Sequence, residues 1–202
     1  MKRTGIITLA IIAFLGLILF GTGCNAYNGL VDLDEEVSKS WKNVEAQYQR
    51  RADLIKNLAE TIVKATESEK DILSSVIEAR SKATGVTLDG DNLTPEKIKQ
   101  FEAAQQNMSG ALSRLMLVVE RYPDLKSIDQ FNKLNDELSG TENRISTARI
   151  DFNEMVAKYN KKVRRFPSNI FAGMFGFEKK VGFESKTGAD EAPDLSDIYD
   201  KE

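Results

Sequence analysis

At 202 residues, with 29% charged and 41% hydrophobic side chains, the chain supports one domain with appendages. A formal charge of −3 and no basic stripe interleaved with aromatics argue against a nucleic-acid partner. The chain has no His and a single Cys, Cys24. That excludes His-based triads, His general bases, nearly all imidazole-dependent metal sites and any intramolecular disulfide.

Lys2 and Arg3 precede an uncharged run over residues 5–23, which at 19 residues is near the minimum for spanning a bilayer. Asp32, Asp34, Glu35 and Glu36 follow it. An all-apolar N-terminal run with this flank points to membrane targeting rather than a core helix, so the bilayer is the partner of residues 5–23. The positive-inside rule puts the N-terminus in the cytoplasm and the body outside it. Residues 1–24 thus read as a transmembrane anchor or a lipoprotein signal. Gly21-Thr22-Gly23-Cys24 is similar to a bacterial lipobox that would lipidate Cys24, but Gly21 stands where Leu, Val or Ile is usual. The length of the run favours an uncleaved anchor with Cys24 as an interfacial thiol. The lipid-anchored alternative stays open.

From Tyr27 to Ala83, apolar or small residues recur in steps of three and four: Leu30, Leu33, Val37, Trp41, Val44, Tyr48, Ala52, Ile55, Leu58, Ile62 and onward to Val76. No Pro or Gly falls between Leu30 and Thr84. The pattern predicts one amphipathic helix of roughly 85 Å that needs partners along one face. Residues 84–94 read as a loop. Asp89 and Asp91 have the opening spacing of a calcium loop, but Thr94 and Gln100 stand where it requires Gly and Glu. A second helix starts with Thr94 as cap and Pro95 in its first turn, carries Ile98, Phe101, Ala104, Met108, Leu112, Leu115 and Val119 on one face, and stops at Tyr122-Pro123.

A third helix is expected from Ser127, capped with Gln130 at capping-box spacing, through a stripe from Ile128 to Phe166. Lys161, Lys162, Arg164 and Arg165 crowd its end, where cations favour the helix dipole. The Phe- and Gly-rich stretch 166–183 is expected to fold back as a short helix or lid over a bundle end. The fold class is therefore all-α: an antiparallel bundle of three long helices plus a short C-terminal helical element, with an N-terminal membrane segment. The bundle occupies residues 27–183. Residues 184–202 carry seven acidic residues against two lysines and read as an acidic disordered tail.

Arg51, Glu69 and Glu142 fall at stripe phase, where a charge is costly unless paired. In an up-down-up arrangement the turn at Asp124 would return beside residues 50–57. Arg50 or Arg51 with Asp53 and Asp124 is the expected ionic lock, with Glu69 and Glu142 as polar seam residues. A structural lock that fixes register is the plainer reading, and a ligand-binding or switching pair is the alternative.

Tyr27-Asn28-Gly29-Leu30-Val31 and the run from Trp41 through Gln49-Arg50-Arg51-Ala52-Asp53-Leu54-Ile55 resemble the opening of the LemA family. Tyr122-Pro123-Asp124-Leu125-Lys126, Thr141-Glu142-Asn143-Arg144-Ile145, Tyr159-Asn160, Phe166-Pro167, Gly176-Phe177 and Phe183-Glu184 follow in family order, so the resemblance covers residues 26 to 184. Lys56 replaces the family's usual Pro, which argues against a kink there, and residues 67–70 lack the common His-Glu. The resemblance implies a membrane-anchored helical bundle with no established enzymatic activity. Some relatives take part in forming magnetosome membranes, and others lie in genomic neighbourhoods of membrane proteases.

The residues themselves name no enzyme and no cofactor. A di-iron bundle needs Glu-x-x-His pairs, which this chain lacks, and no Asp and Glu cluster converges to suggest a magnesium site. The leading expectation is a membrane-tethered, extracytoplasmic scaffold or adaptor that binds a protein partner or itself. The alternative is a regulator of envelope stress or proteolysis that binds a membrane protease.

Overall fold

The computed structural model describes residues 2–66, 69–86, 88 and 93–184. Among the described residues every regular element is helical. Helix α1 (Lys2–Thr66) is 65 residues long and passes without interruption from the apolar run into the body. Its start is apolar on all sides: Ile7, Leu9, Ile12, Phe14, Leu17 and Phe20 are exposed. The helix is long and apolar enough to cross a membrane. From Ala26 onward one stripe sinks into protein, with Leu30, Val37, Trp41, Val44, Ile55, Leu58 and Ile62 buried. α1 continues as helix through Lys56, whose Nζ lies 2.7 Å from Glu60 Oε1.

The reading of residues 27–83 as one helix needs correction. α1 ends at Thr66, and α2 (Lys70–Gly85) folds back along it, with Arg80 paired to Asp53 at 2.7 Å. The reason is length. α3 (Pro95–Arg121) and α4 (Asp129–Arg164) have 27 and 36 residues, hence about 40 and 54 Å. A straight helix of roughly 85 Å would outrun both and leave its last apolar turns in water. Doubling back buries Val76, Ala79 and Ala83 instead.

The chain then runs down α2, up α3 and down α4, which lies antiparallel along α1. Thr94 caps α3 as expected, accepting from the Lys97 amide at 3.4 Å. Ser127 does not cap α4. It ends a 3-10 turn over Pro123–Ser127 and donates to the Asp124 carbonyl at 2.6 Å, while Ile128 holds the cap position without a side-chain bond. Beyond α4, α5 (Ser168–Phe175) folds back beside α1, and an extended segment over residues 177–184 returns along α4. The short element expected after the third helix is present. The acidic tail beyond residue 184, Asp89 and Asp91, and residues 67–68 lie outside the described residues.

Two apolar clusters stack along the bundle. One, far from the N-terminal apolar run, joins Ile55, Leu58 and Ile62 to Val76, Met108, Leu115 and Leu138. The other, nearer that run, centres on Trp41 with Phe101, Phe152, Tyr159 and Phe183. Each fully buried side chain of this size contributes roughly 1.5–3 kcal/mol, so the bundle draws its stability from these two centres.

Candidate functional site

Between the clusters lies a layer of polar side chains. Arg51, Gln105 and Thr141 are buried there, on α1, α3 and α4. The Arg51 guanidinium donates to the Gln105 carbonyl at 2.9 Å, to Ser109 Oγ at 3.1 Å and to Glu142 Oε1 at 3.2 Å. Its carbon sits 5.3 Å from the Tyr48 ring centroid. Gln105 in turn donates from Nε2 to the Ala83 carbonyl at 3.2 Å, which ties α2 into the layer. Four helices thus meet around one planar cation, whose fork suits several acceptors at once. The pair is lopsided: the Arg51 side chain is 7% exposed and that of Glu142 48%.

The residues expected to form one lock are distributed differently. Arg51 meets Glu142, not Asp124. Arg50 reaches Glu137 at 3.5 Å on the surface, and Asp53 holds Arg80 on α2. Glu69, at the cap position of α2, lies 3.4 Å from Arg121 at the end of α3. Asp124 is exposed in the turn that follows Arg121. The division of the first stretch explains the difference. It places the Tyr122-Pro123-Asp124 turn at the α1–α2 corner near Glu69, some 15 residues of helix from Arg51, or about 22 Å.

Sequence reasoning missed a second arrangement, on α4. Asn160 donates to the Lys180 carbonyl at 2.8 Å and accepts from the Lys180 amide at 2.9 Å. Asn153 does the same for Phe183, at 3.0 and 2.8 Å. The two asparagines are two helical turns apart, so each side-chain amide acts as a short piece of neighbouring strand for the extended segment. Gly182 makes room for this: a Cβ there would stand 2.5 Å from Asn153 Oδ1. Phe183 then enters the aromatic cluster, stacked 5.7 Å from Trp41 and edge-on to Phe152 at 5.6 Å, with the Arg149 guanidinium 4.2 Å from its ring centre. The available signal was Gly182-Phe183 after a Gly-rich stretch, with Asn153 and Asn160 at helical spacing.

The same segment covers a cavity of about 460 Å³ lined by Asp34, Tyr159, Phe177, Lys179 and Lys180. Lys180 Nζ lies 2.6 Å from Asp34 Oδ1. Burial, and then the charges of Asp34 and Glu178, push the Tyr159 hydroxyl up to about 12 from an ordinary value of 10.0. A raised folded-state value means that the contribution is complete below the unfolded value and is lost as pH rises through the folded one. Tyr159→Phe should therefore flatten a loss on the order of 1–2 kcal/mol between about pH 10 and 12, read by urea unfolding. An unchanged alkaline slope would place the phenol in water.

A second cavity, of about 310 Å³, opens beside Gln105, Tyr48 and Glu45. Among the described residues no three His, Cys, Asp or Glu side chains gather to hold a metal ion. Cys24 is exposed on α1 at the end of the apolar run.

The chain is 27% identical over 199 residues to Magnetosome protein MamQ 2 of Paramagnetospirillum magneticum, covering 90% of this chain and 71% of that protein. It is 26% identical over 199 residues to Magnetosome protein MamQ of Magnetospirillum gryphiswaldense, with the same coverage. To Protein LemA of Metamycoplasma hominis it is 24% identical over 145 residues, which covers 72% of this chain and 63% of that protein. The model of the LemA family matches residues 40–196, most of the bundle and part of the tail, and the chain belongs to that family.

Proposed function

We propose that this protein is a membrane-tethered, extracytoplasmic scaffold or adaptor without catalytic activity, built as an anchor (1–24), a bundle (27–183) and an acidic tail (184–202). The observation that carries this reading is the unbroken α1, which joins an exposed apolar run to the core of the body. A tether continuous with the core holds a helical surface at a set distance from the bilayer, which suits docking better than turnover. Leu117 and Ile150, each 57% exposed on α3 and α4, are apolar points at which a protein partner or a second copy can sit. Three relatives are named as magnetosome proteins, which fits a role in organising a membrane. Within the body, Arg51 and Glu142 act as the register lock. Lys2 and Arg3 place the N-terminus in the cytoplasm, and the anchor stays uncleaved, with Cys24 as an interfacial thiol.

Photoreactive residues at Leu117 and Ile150 in the full chain, irradiated in native membranes, test the reading. Discrete adducts with one protein or with a second copy are expected, and adducts only with solvent at both positions would overturn it. A membrane protease as the adduct would favour the regulatory alternative. The intact mass of the extracted protein should include residues 1–23, whereas a shortened, acylated mass would reverse the anchor assignment. An Ile150→Cys label in a Cys24→Ser background that an impermeant thiol reagent reaches only after the membrane is opened would reverse the orientation.

A further inference from the structure

α5 is built inside out. It buries its small residues, Ser168 and Ala172, and leaves Ile170 54%, Met174 68% and Phe175 51% exposed, with Phe166 just before it 76% exposed. A helix folded for water would do the reverse. Ile170 and Met174 lie one turn apart on α5 and share a face, an apolar ridge with Phe175 beside them, and Phe166 adds its exposed ring in the turn before the helix.

The place of this ridge names its occupant. The Phe171 ring lies against α1 at Gly23, 2.9 Å from where a Cβ would stand. Gly23 is the last residue of the apolar run. Tyr27 meets Phe175 edge-on at 4.9 Å. The contacts 23 with 171 and 27 with 175 advance together, so α5 runs parallel to α1 with its start towards the span. The basic end of α4 arrives at matching depth: Lys162 Nζ is 3.1 Å from where a side chain at Gly29 would begin. Gly29 is six residues beyond Gly23, about 9 Å of helix, which is the depth of lipid headgroups above a hydrocarbon core. Lys161, Arg164 and Arg165 crowd the same turns. Asp32, Glu35 and Glu36 lie close by on α1, so charge of both signs occupies this level and the apolar ridge carries the attachment.

We propose that α5 and the turn at Phe166 are a second membrane attachment, an interfacial foot seated in the bilayer that residues 5–23 span. The inference rests on the tether reading and adds a contact that fixes the rotation of the body about α1. The anchor alone leaves that rotation free. The foot turns one face of the bundle towards the lipid and the opposite face towards partners.

The test uses the full chain in phosphatidylcholine vesicles, in a Cys24→Ser background, with a fluorophore at one introduced cysteine. Met174→Cys and Phe166→Cys report the foot, Leu17→Cys the span and Ile150→Cys the body. Brominated lipid should quench the two foot labels at least about half as strongly as the Leu17 label, because an interfacial helix sits about 5–10 Å into the headgroup boundary. The Ile150 label should respond only to aqueous iodide. Foot labels that behave like Ile150 while Leu17 stays in lipid would overturn the foot and leave the tether intact. A Leu17 label outside lipid would overturn both. Foot labels shielded from iodide yet untouched by brominated lipid would mean that protein covers the ridge, and would also overturn it.

Discussion

Glu142→Ala should destabilise the bundle by about 2–3 kcal/mol, more than the loss of a carboxylate that is 48% exposed would suggest. The carboxylate itself loses little, since water already reaches it. Its partner loses much: Arg51 would remain buried with only the Gln105 carbonyl and Ser109 hydroxyl as acceptors. Breaking a fully buried pair costs roughly 3–5 kcal/mol and an exposed one about 0–1, and this lopsided pair falls between them. Arg51→Met should cost less than Glu142→Ala, because an apolar chain of similar length fills the seam and leaves no buried charge. The double variant should then recover most of the loss caused by Glu142→Ala. Thermal melts of the full chain in detergent would show a drop of about 4–12 °C for Glu142→Ala, at 2–4 °C per kcal/mol for a chain of this size. Additive losses in the cycle would mean that the carboxylate does not hold the guanidinium.

The second large effect is expected from Phe183→Ala. Removing this ring should cost roughly 3–5 kcal/mol if the segment stays docked, and less if residues 177–184 simply come away. Trp41 distinguishes the two, because it is the only tryptophan in the chain and is fully buried against Phe183. Its emission should shift to the red, and a protease should cut near Lys179 and Lys180 while the bundle remains folded. Gly182→Ala should produce the same release by a different cause, since the new methyl would strike Asn153 Oδ1 and break both bonds to Phe183. Adding Asn153→Ala would remove the clash without restoring those bonds. Unchanged emission in Phe183→Ala would show that the ring contributes nothing to the Trp41 environment.

Much of the fold was legible because its cause is periodic. Most residues of the stripes Leu30 to Ile62, Ile98 to Val119 and Ile128 to Val163 are buried or half-buried, and Thr94-Pro95 marked a helix start that the structure has, but Phe166, expected to close the third stripe, lies beyond the end of α4 and is exposed. The corner after Thr66 was not legible from the stripe. Leu73 and Val76 keep the same phase whether the helix runs straight or restarts, and no Pro or Gly announces a stop. The one local cue is Ser68 followed by Asp71 at capping-box spacing. That single corner decided which carboxylate Arg51 meets. The stripe argument identified Arg51 and Glu142 as misplaced charges, but only the layout of four helices could join them. The asparagine contacts were hidden for another reason. Asn153 and Asn160 look like ordinary surface residues until the segment they hold is known to return along α4.

The continuity of α1 has a mechanical consequence. From Cys24 to Thr66 the helix rises about 64 Å, and it contains no proline at which to bend. On the proposed tether, such a rod would be a lever with its short arm in the membrane. Spanning helices change their tilt when the bilayer thins or thickens, and a change of about 10° would swing the Thr66 end sideways by about 11 Å. Bilayer thickness would thus be read out as a displacement comparable to the diameter of a helix, at the end of the body farthest from the lipid.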